Sequence, residues 1–240
     1  MATWITHMMI VDNLFKKGIN LDERGFAVGN IAPDCNVENE DWSEFTPPRE
    51  VTHWMNGKSK LTADYESFFD EYIKDKEFDS NEHISFLLGY YSHLITDVEF
   101  QKFVRDDERV KNIFNRVKSK ENLYREIRGY SEDSDTLKKV FGKQNIFNDI
   151  YVQEFNYLKA NPNSKYNTIL NRITDFPDYL DYLPKGAIAR KIIIAKDNLD
   201  VKQQRDEYIF FSEHEFKEFV EKTSSLIYKL ISDKVPVNYR

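Results

Sequence analysis

The sequence predicts an all-α fold, and three observations carry that expectation. Glycine and proline are sparse, at 8 and 7 in 240 residues, whereas a sandwich or barrel spends such residues at each of its many turns. Good helix formers such as Lys, Glu and Leu are plentiful and are interleaved with 18 Phe and 14 Tyr. Apolar residues recur at three- and four-residue spacing through most of the chain. A hydrophobic content of 40% is enough for one substantial core, and no break in composition marks a second one. The expected organisation is a single helical domain over residues 1–240, with the informative motifs in 2–105 and a helical C-terminal half in 106–240.

The first helix is expected over residues 6–15, where His7, Ile10, Val11 and Leu14 share a face. Residues 26–48 read as loop, because Gly29, Pro33, Cys35-Asn36 and Pro47-Pro48 interrupt regular structure. His53 follows directly. Helical spacing returns over 61–74 and again over 83–104, with Asp79-Ser80-Asn81 supplying capping side chains between them. In the second of these, Phe86, Tyr90, His93, Asp97, Phe100 and Val104 form one face, while Leu87, Tyr91, Leu94 and Val98 form another. A helix apolar on two sides belongs at the centre of a bundle.

Further helices are expected over 107–118, 121–140, 147–158, 185–199 and 212–231. Asn161-Pro162-Asn163-Ser164 marks a turn, Phe176-Pro177-Asp178 and Leu183-Pro184-Lys185-Gly186 break the pattern, and Val235-Pro236-Val237 reads as a frayed tail. No repeat or low-complexity tract is present.

The formal charge of −7 comes from 41 acidic and 34 basic residues scattered along the chain, which implies solubility and gives no nucleic-acid footprint. One cysteine, Cys35, excludes an internal disulfide. The N-terminus has no basic segment leading into an apolar run, and no stretch reaches the roughly 18 apolar residues of a spanning helix. A cytoplasmic location is the expectation.

The chemistry begins with His93 and Asp97, four residues apart and therefore on one helix face. Burying both without a partner costs several kcal/mol, on the order of the desolvation penalty for polar and charged groups, and a shared cation offsets that cost. Such a pair by itself is better explained by hydrogen bonding between its own members or to the backbone. The wider pattern favours a metal. His7 lies on an apolar helix face, Asp34 follows a proline in a turn, and His53 leads into Trp54, so three of only five histidines sit in such settings. Imidazole and carboxylate are ligands for divalent cations, and zinc is the usual occupant of mixed His/Asp sites. Five ligands exceed what one tetrahedral zinc needs. Either a second ion is present, which is the reading adopted, or one residue acts as a base or outer partner.

The segments Trp4-Ile5-Thr6-His7, Gly29-Asn30-Ile31-Ala32-Pro33-Asp34, Thr52-His53-Trp54 and Gly89-Tyr90-Tyr91-Ser92-His93-Leu94-Ile95-Thr96-Asp97 resemble, in order and approximate spacing, the motifs of the zinc-dependent phospholipase C family. That family includes the single-strand-specific fungal nucleases, and its members are helical phosphoesterases with three zinc ions. The resemblance covers roughly residues 2–105. It implies that Asp34, His53 and His93 hold one zinc, that Asp97 bridges to another, and that His7 binds this second ion. It implies that Asp34 doubles as general base. The family's second ion is also held by the mature N-terminal residue, which here would require loss of Met1 to expose Ala2.

The family's third zinc takes two histidines and an acid beyond the position of Asp97, and this sequence departs there. Six residues after Asp97 stands Phe103, and the one remaining His-x-x-x-acid pair, His214 with Glu218, overlaps a capping motif that begins at Ser212. The expected chemistry is phosphomonoester or phosphodiester hydrolysis at a di-zinc centre, with hydroxide between the ions attacking phosphorus. The substrate is expected to be a phosphate-ester small molecule, a lipid head group or a nucleotide. Arg49, Lys58 and Lys60 lie near His53 and are candidate phosphate ligands, although solvated surface charge explains such residues better. His83 reads as exposed, Cys35 as a packing residue, and Tyr90 and Tyr91 as core aromatics.

Two other function classes fit the same residues. One is a zinc-binding protein without catalysis that engages a partner, marked by a closed coordination sphere. The other is a metal-free helical interaction module. A different class of helical phosphohydrolases needs adjacent His-Asp residues, and that dipeptide does not occur.

Overall fold

A computed structural model describes residues 2–196 and 207–235. Among the described residues it contains twelve α-helices and one two-stranded sheet, so the all-α expectation holds. Helix α1 (Trp4–Lys16) begins at Thr3, whose hydroxyl accepts from the Thr6 amide and satisfies an otherwise unpaired donor of the first turn. Helix α2 (Glu23–Gly29) lies partly in the segment expected to be loop. Its N-cap is Asp22, whose carboxylate accepts from Gly25 N at 2.7 Å, and the helix is buried from Gly25 to Gly29. The short pattern Gly25-Phe26-Ala27-Val28-Gly29 hides a helix because its two glycines serve packing, not turning.

The rest of residues 26–48 is irregular, as expected, apart from a small hairpin. A 3-10 turn (Ala32–Asp34) leads into β1 (Val37–Glu38), which pairs antiparallel with β2 (Phe45–Thr46), Val37 opposite Thr46. Helix α3 (Arg49–Thr52) ends at His53. The helix expected over 61–74 is shorter. A 3-10 turn (Lys60–Thr62) precedes α4 (Tyr65–Tyr72), and Asp64 caps the latter by accepting from Ser67 N at 3.0 Å.

Helix α5 (Asn81–Arg105) is capped by Ser80 and is buried almost without interruption from Ile84 to Val98, the central position that its two apolar faces predict. Helix α6 (Asp107–Lys118) follows. The single helix expected over 121–140 is two, α7 (Glu121–Ile127) and α8 (Ser134–Phe141). Gly129 adopts φ +90° between them, and Asp133 starts the second by accepting from Thr136 N at 2.7 Å. Helices α9 (Lys143–Ala160), α10 (Lys165–Thr168), α11 (Ala187–Lys196) and α12 (Glu213–Lys234) complete the described chain. Ser212 and Glu215 form the reciprocal capping box at the start of α12. Leu199, the end of the expected 185–199 helix, and Pro236-Val237 lie outside the described residues, as does Met1.

Helices α2 and α5 approach until only glycine fits between them. A Cβ on Gly29 would stand 2.0 Å from the Phe86 carbonyl oxygen, and one on Gly89 would stand 2.2 Å from that of Phe26. Backbone atoms cannot retreat as a side-chain tip can, so both positions must lack a Cβ. This contact seats the end of α2, and Asn30 after it, against the middle of α5. On the far side, α12 packs along α1 and α5, with Phe219 stacked on Phe103 at 4.9 Å. Among the described residues, no helix is long and apolar enough to cross a membrane.

Candidate metal centre

Four separate segments bring the five expected residues together. His7 lies in the first turns of α1, Asp34 in the 3-10 turn after α2, His53 at the end of α3, and His93 and Asp97 on adjacent turns of α5. His7 and His93 have no exposed surface, His53 and Asp97 are about as deeply buried at 1%, and the Asp34 side chain is 12% exposed. The His53 and His93 Nε2 atoms are 3.4 Å apart. Asp34 Oδ1 lies 3.2 Å from His53 Nε2. The Asp97 carboxylate spans the cluster, with Oδ1 3.9 Å from His7 Nε2 and Oδ2 3.2 Å from His93 Nε2 and 3.7 Å from His53 Nε2.

The ring orientation is set from behind. His93 Nδ1 donates to the Asn30 carbonyl at 2.8 Å, and His7 Nδ1 donates to the Asn30 side-chain Oδ1 at 3.1 Å. The Asn30 amide is in turn fixed by donating to Ser92 Oγ at 2.7 Å. His53 Nδ1 donates to the Arg49 carbonyl at 3.2 Å, with the Thr52 hydroxyl 3.0 Å away. Carbonyl oxygens only accept, so all three imidazoles carry their proton on Nδ1 and turn the Nε2 lone pair toward the centre.

The ionisation states sharpen this picture. Burial pushes the His7 imidazole down to about 3, helped by His93 beside it, and burial lowers His53 too, helped by the Lys60 ammonium. Burial by itself would push the Asp34 and Asp97 carboxyls up. Lys60, aided by His53 at Asp34 and by His93 at Asp97, overrides that and holds both well below the usual carboxylate range. With the imidazoles in this Nδ1–H form, the centre collects Nε2 lone pairs and two ionised carboxylates, and the Lys60 ammonium is the cation beside them. His7 Nε2 and Asp97 Oδ1 are fully buried without a hydrogen-bond partner. Such a set repels itself unless cations are shared within it, and it fits divalent ions bound by nitrogen and oxygen. Two triads have ligand atoms mutually within 4.8 Å: His7, His93 and Asp97, and Asp34, His53 and His93.

Two residues of the site were not singled out as such from the sequence. Asn30 orients two rings at once, and Trp4 Nε1 donates to Asp34 Oδ2 at 3.2 Å. Both lie inside the motif segments, but as polar and aromatic residues they carry no ligand signal of their own. Lys60 was one of three candidate phosphate ligands, and the structure separates them. Arg49 and Lys58 are exposed, and the Arg49 guanidinium lies 4.5 Å from the centre of the Phe45 ring. Lys60 is 11% exposed, with its ammonium on Asp97 and 3.8 Å from Asp34 Oδ1.

The remaining histidines sit elsewhere. His214 is exposed, and Glu218 pairs with Lys222 at 2.8 Å, so that sequence pair is not gathered into the centre, while Phe103 is packed among aromatics. His83 is half-buried and not exposed as expected, since its ring stacks on Tyr179 at 4.3 Å. Tyr90, Tyr91 and Cys35 are core residues, and the Tyr90 hydroxyl donates to the Thr52 carbonyl next to His53.

No curated protein and no solved structure matches the chain. The family model described as zinc dependent phospholipase C matches residues 6–99, a stretch that contains all five gathered residues. Over that stretch, which is less than half of the chain, the protein is similar to the zinc-dependent phospholipase C family.

Proposed function

We propose that the protein is a metal-dependent phosphoesterase acting on a small phosphate ester, with two zinc ions as its cofactor. The observation that carries this reading is the convergence of three Nε2 lone pairs on two ionised carboxylates. In this assignment Asp34, His53 and His93 would hold one ion, His7 would hold the second, and Asp97 would serve both. Ions in such a centre activate water and stabilise negative charge on phosphoryl oxygens.

The protein's own residues do the rest. Asp34 is the general base. It has the greatest exposure of the five, at 12%, and the Trp4 indole holds one of its oxygens in place. Asn30 keeps His7 and His93 in the tautomer that ligates.

The test is zinc content by elemental analysis, paired with hydrolysis of p-nitrophenyl phosphate and bis-p-nitrophenyl phosphate. Stoichiometric zinc and turnover that Asp97→Ala abolishes support the assignment. Bound zinc without turnover on any phosphate ester points instead to a non-catalytic zinc protein, a reading favoured by the near-complete burial of four of the five ligands.

A further inference from the structure

Lys60 is the lysine that pairs with the two carboxylates of the centre, and its setting is built. Its 3-10 turn is pinned to the preceding segment at its C-terminal end. Asn56 N donates to the Thr62 carbonyl at 3.2 Å, and Asp64 N donates to the Trp54 carbonyl at 2.8 Å. Ser59 caps the turn by accepting from Leu61 N at 3.3 Å. The backbone is thus fixed beside the centre, and the four-carbon stem alone decides where the ammonium goes.

Among the described residues, no other lysine or arginine is paired with Asp34 or Asp97. The ammonium sits where a cation is required, between two carboxylates that also face imidazole lone pairs. A divalent ion taken up by Asp34, His53, His93 and Asp97 would share those oxygens with a neighbouring positive charge. Like charges at that separation repel, so uptake turns the ammonium away from Asp97. It still lies beside Asp34, and both side chains are partly exposed, at 11% for Lys60 and 12% for Asp34. The anion that meets it there is the phosphoryl group of the substrate.

We propose that Lys60 has two successive partners: it neutralises the Asp34 and Asp97 carboxylates before divalent ions bind, and it then binds a phosphoryl oxygen of the substrate. This rests on the phosphoesterase reading, and it adds a substrate-binding residue and a built-in competitor for metal. A lysine supplies a point charge to a tetrahedral oxyanion without the planar fork that arginine would impose.

The experiment is calorimetric titration of the full chain, first with zinc and then, in the zinc-loaded protein, with inorganic phosphate. It compares wild type with Lys60→Met and Lys60→Arg, each checked for helical content by circular dichroism. In Lys60→Met, zinc binding tightens by about tenfold because the competing charge is gone, and phosphate binding weakens by about tenfold because a charge-assisted hydrogen bond is lost. Lys60→Arg keeps most of the phosphate affinity. Zinc binding by Lys60→Met but not by wild type would also support the proposal, as an extreme of the same competition. Unchanged zinc and phosphate affinities in Lys60→Met overturn it, and so does tighter zinc with undiminished phosphate. If neither wild type nor Lys60→Met takes up zinc, the phosphoesterase reading itself fails and takes this proposal with it. If wild type binds zinc and the variant behaves identically, that reading stands and Lys60 has no part in it.

Discussion

The imidazoles of His7 and His93 lie parallel, their planes 2° apart and their centroids separated by 4.1 Å. One residue, Asn30, holds both rings, taking the Nδ1 proton of His7 on its side chain and that of His93 on its main chain. Stacked buried rings with both lone pairs aimed the same way form a preorganised ligand face, because neither must rotate to bind. Asn30→Ala frees His7 and leaves the Asn30–His93 backbone contact in place. The expected outcome is a fall in zinc affinity of about 10- to 100-fold, the usual effect of deleting an outer partner of a ligating histidine. Competitive zinc titration against a chelating dye checks it. Unchanged affinity would mean that His7 is held by packing alone.

The proposed division of ligands makes a prediction about stoichiometry. His7→Ala removes a residue that serves one triad, and His53→Ala removes one that serves the other, whereas Asp97 extends an oxygen toward both. Elemental analysis of purified variants is therefore expected to give one zinc fewer for each histidine variant, and close to none for Asp97→Ala. Equal loss in all three variants would indicate a single ion.

Close helix contact is a precondition for this geometry. Gly89→Ala places a methyl group 2.2 Å from the Phe26 carbonyl oxygen, inside any tolerable contact, and relief requires α2 to move off α5. Overpacking of this kind costs on the order of 3 kcal/mol or more. The shift also carries Asn30 away from His93. Chemical denaturation and zinc titration are both expected to show the loss, whereas Gly142→Ala, at a site with nothing within 4 Å but with φ +76°, alters stability alone.

The sequence made the central helix and the ligands legible because each leaves a residue-type signal. The His93 and Asp97 side chains interrupt an apolar face, and Ser212 with Glu215 writes the capping box of α12 in four residues. Helix α2 was hidden for a physical reason. Gly25 and Gly29 look like breakers in a linear reading, and only the carbonyls of Glu82 and Phe86 opposite them reveal that they are contact residues. The break between α7 and α8 was hidden by apolar spacing that continues on both sides of Gly129. Lys60 and Asn30 were illegible as partners of the centre because their roles depend on separations of 37 and 63 residues along the chain, from Asp97 and His93 respectively.

A pH dependence follows from a buried acid outside the centre. Glu154 on α9 is 1% exposed, and its carboxyl accepts from the hydroxyls of Thr3 and Thr6 at the start of α1. Burial raises its pKa from 4.5 to about 7, with the two threonines offsetting only part of that. The folded protein therefore holds this proton at pH values where the unfolded chain has released it. The stabilisation is present in full below about 4.5 and is lost as the pH rises through about 7, with a total size on the order of 3 kcal/mol. Glu154→Gln keeps a neutral acceptor for both hydroxyls and cannot ionise. Urea denaturation of both proteins at pH 5 and pH 8 isolates the effect from all other titrating groups. Wild type is expected to lose stability relative to the variant by about 2 to 3 kcal/mol over that interval. A difference that stays constant between the two pH values would show that Glu154 is already ionised in the folded protein.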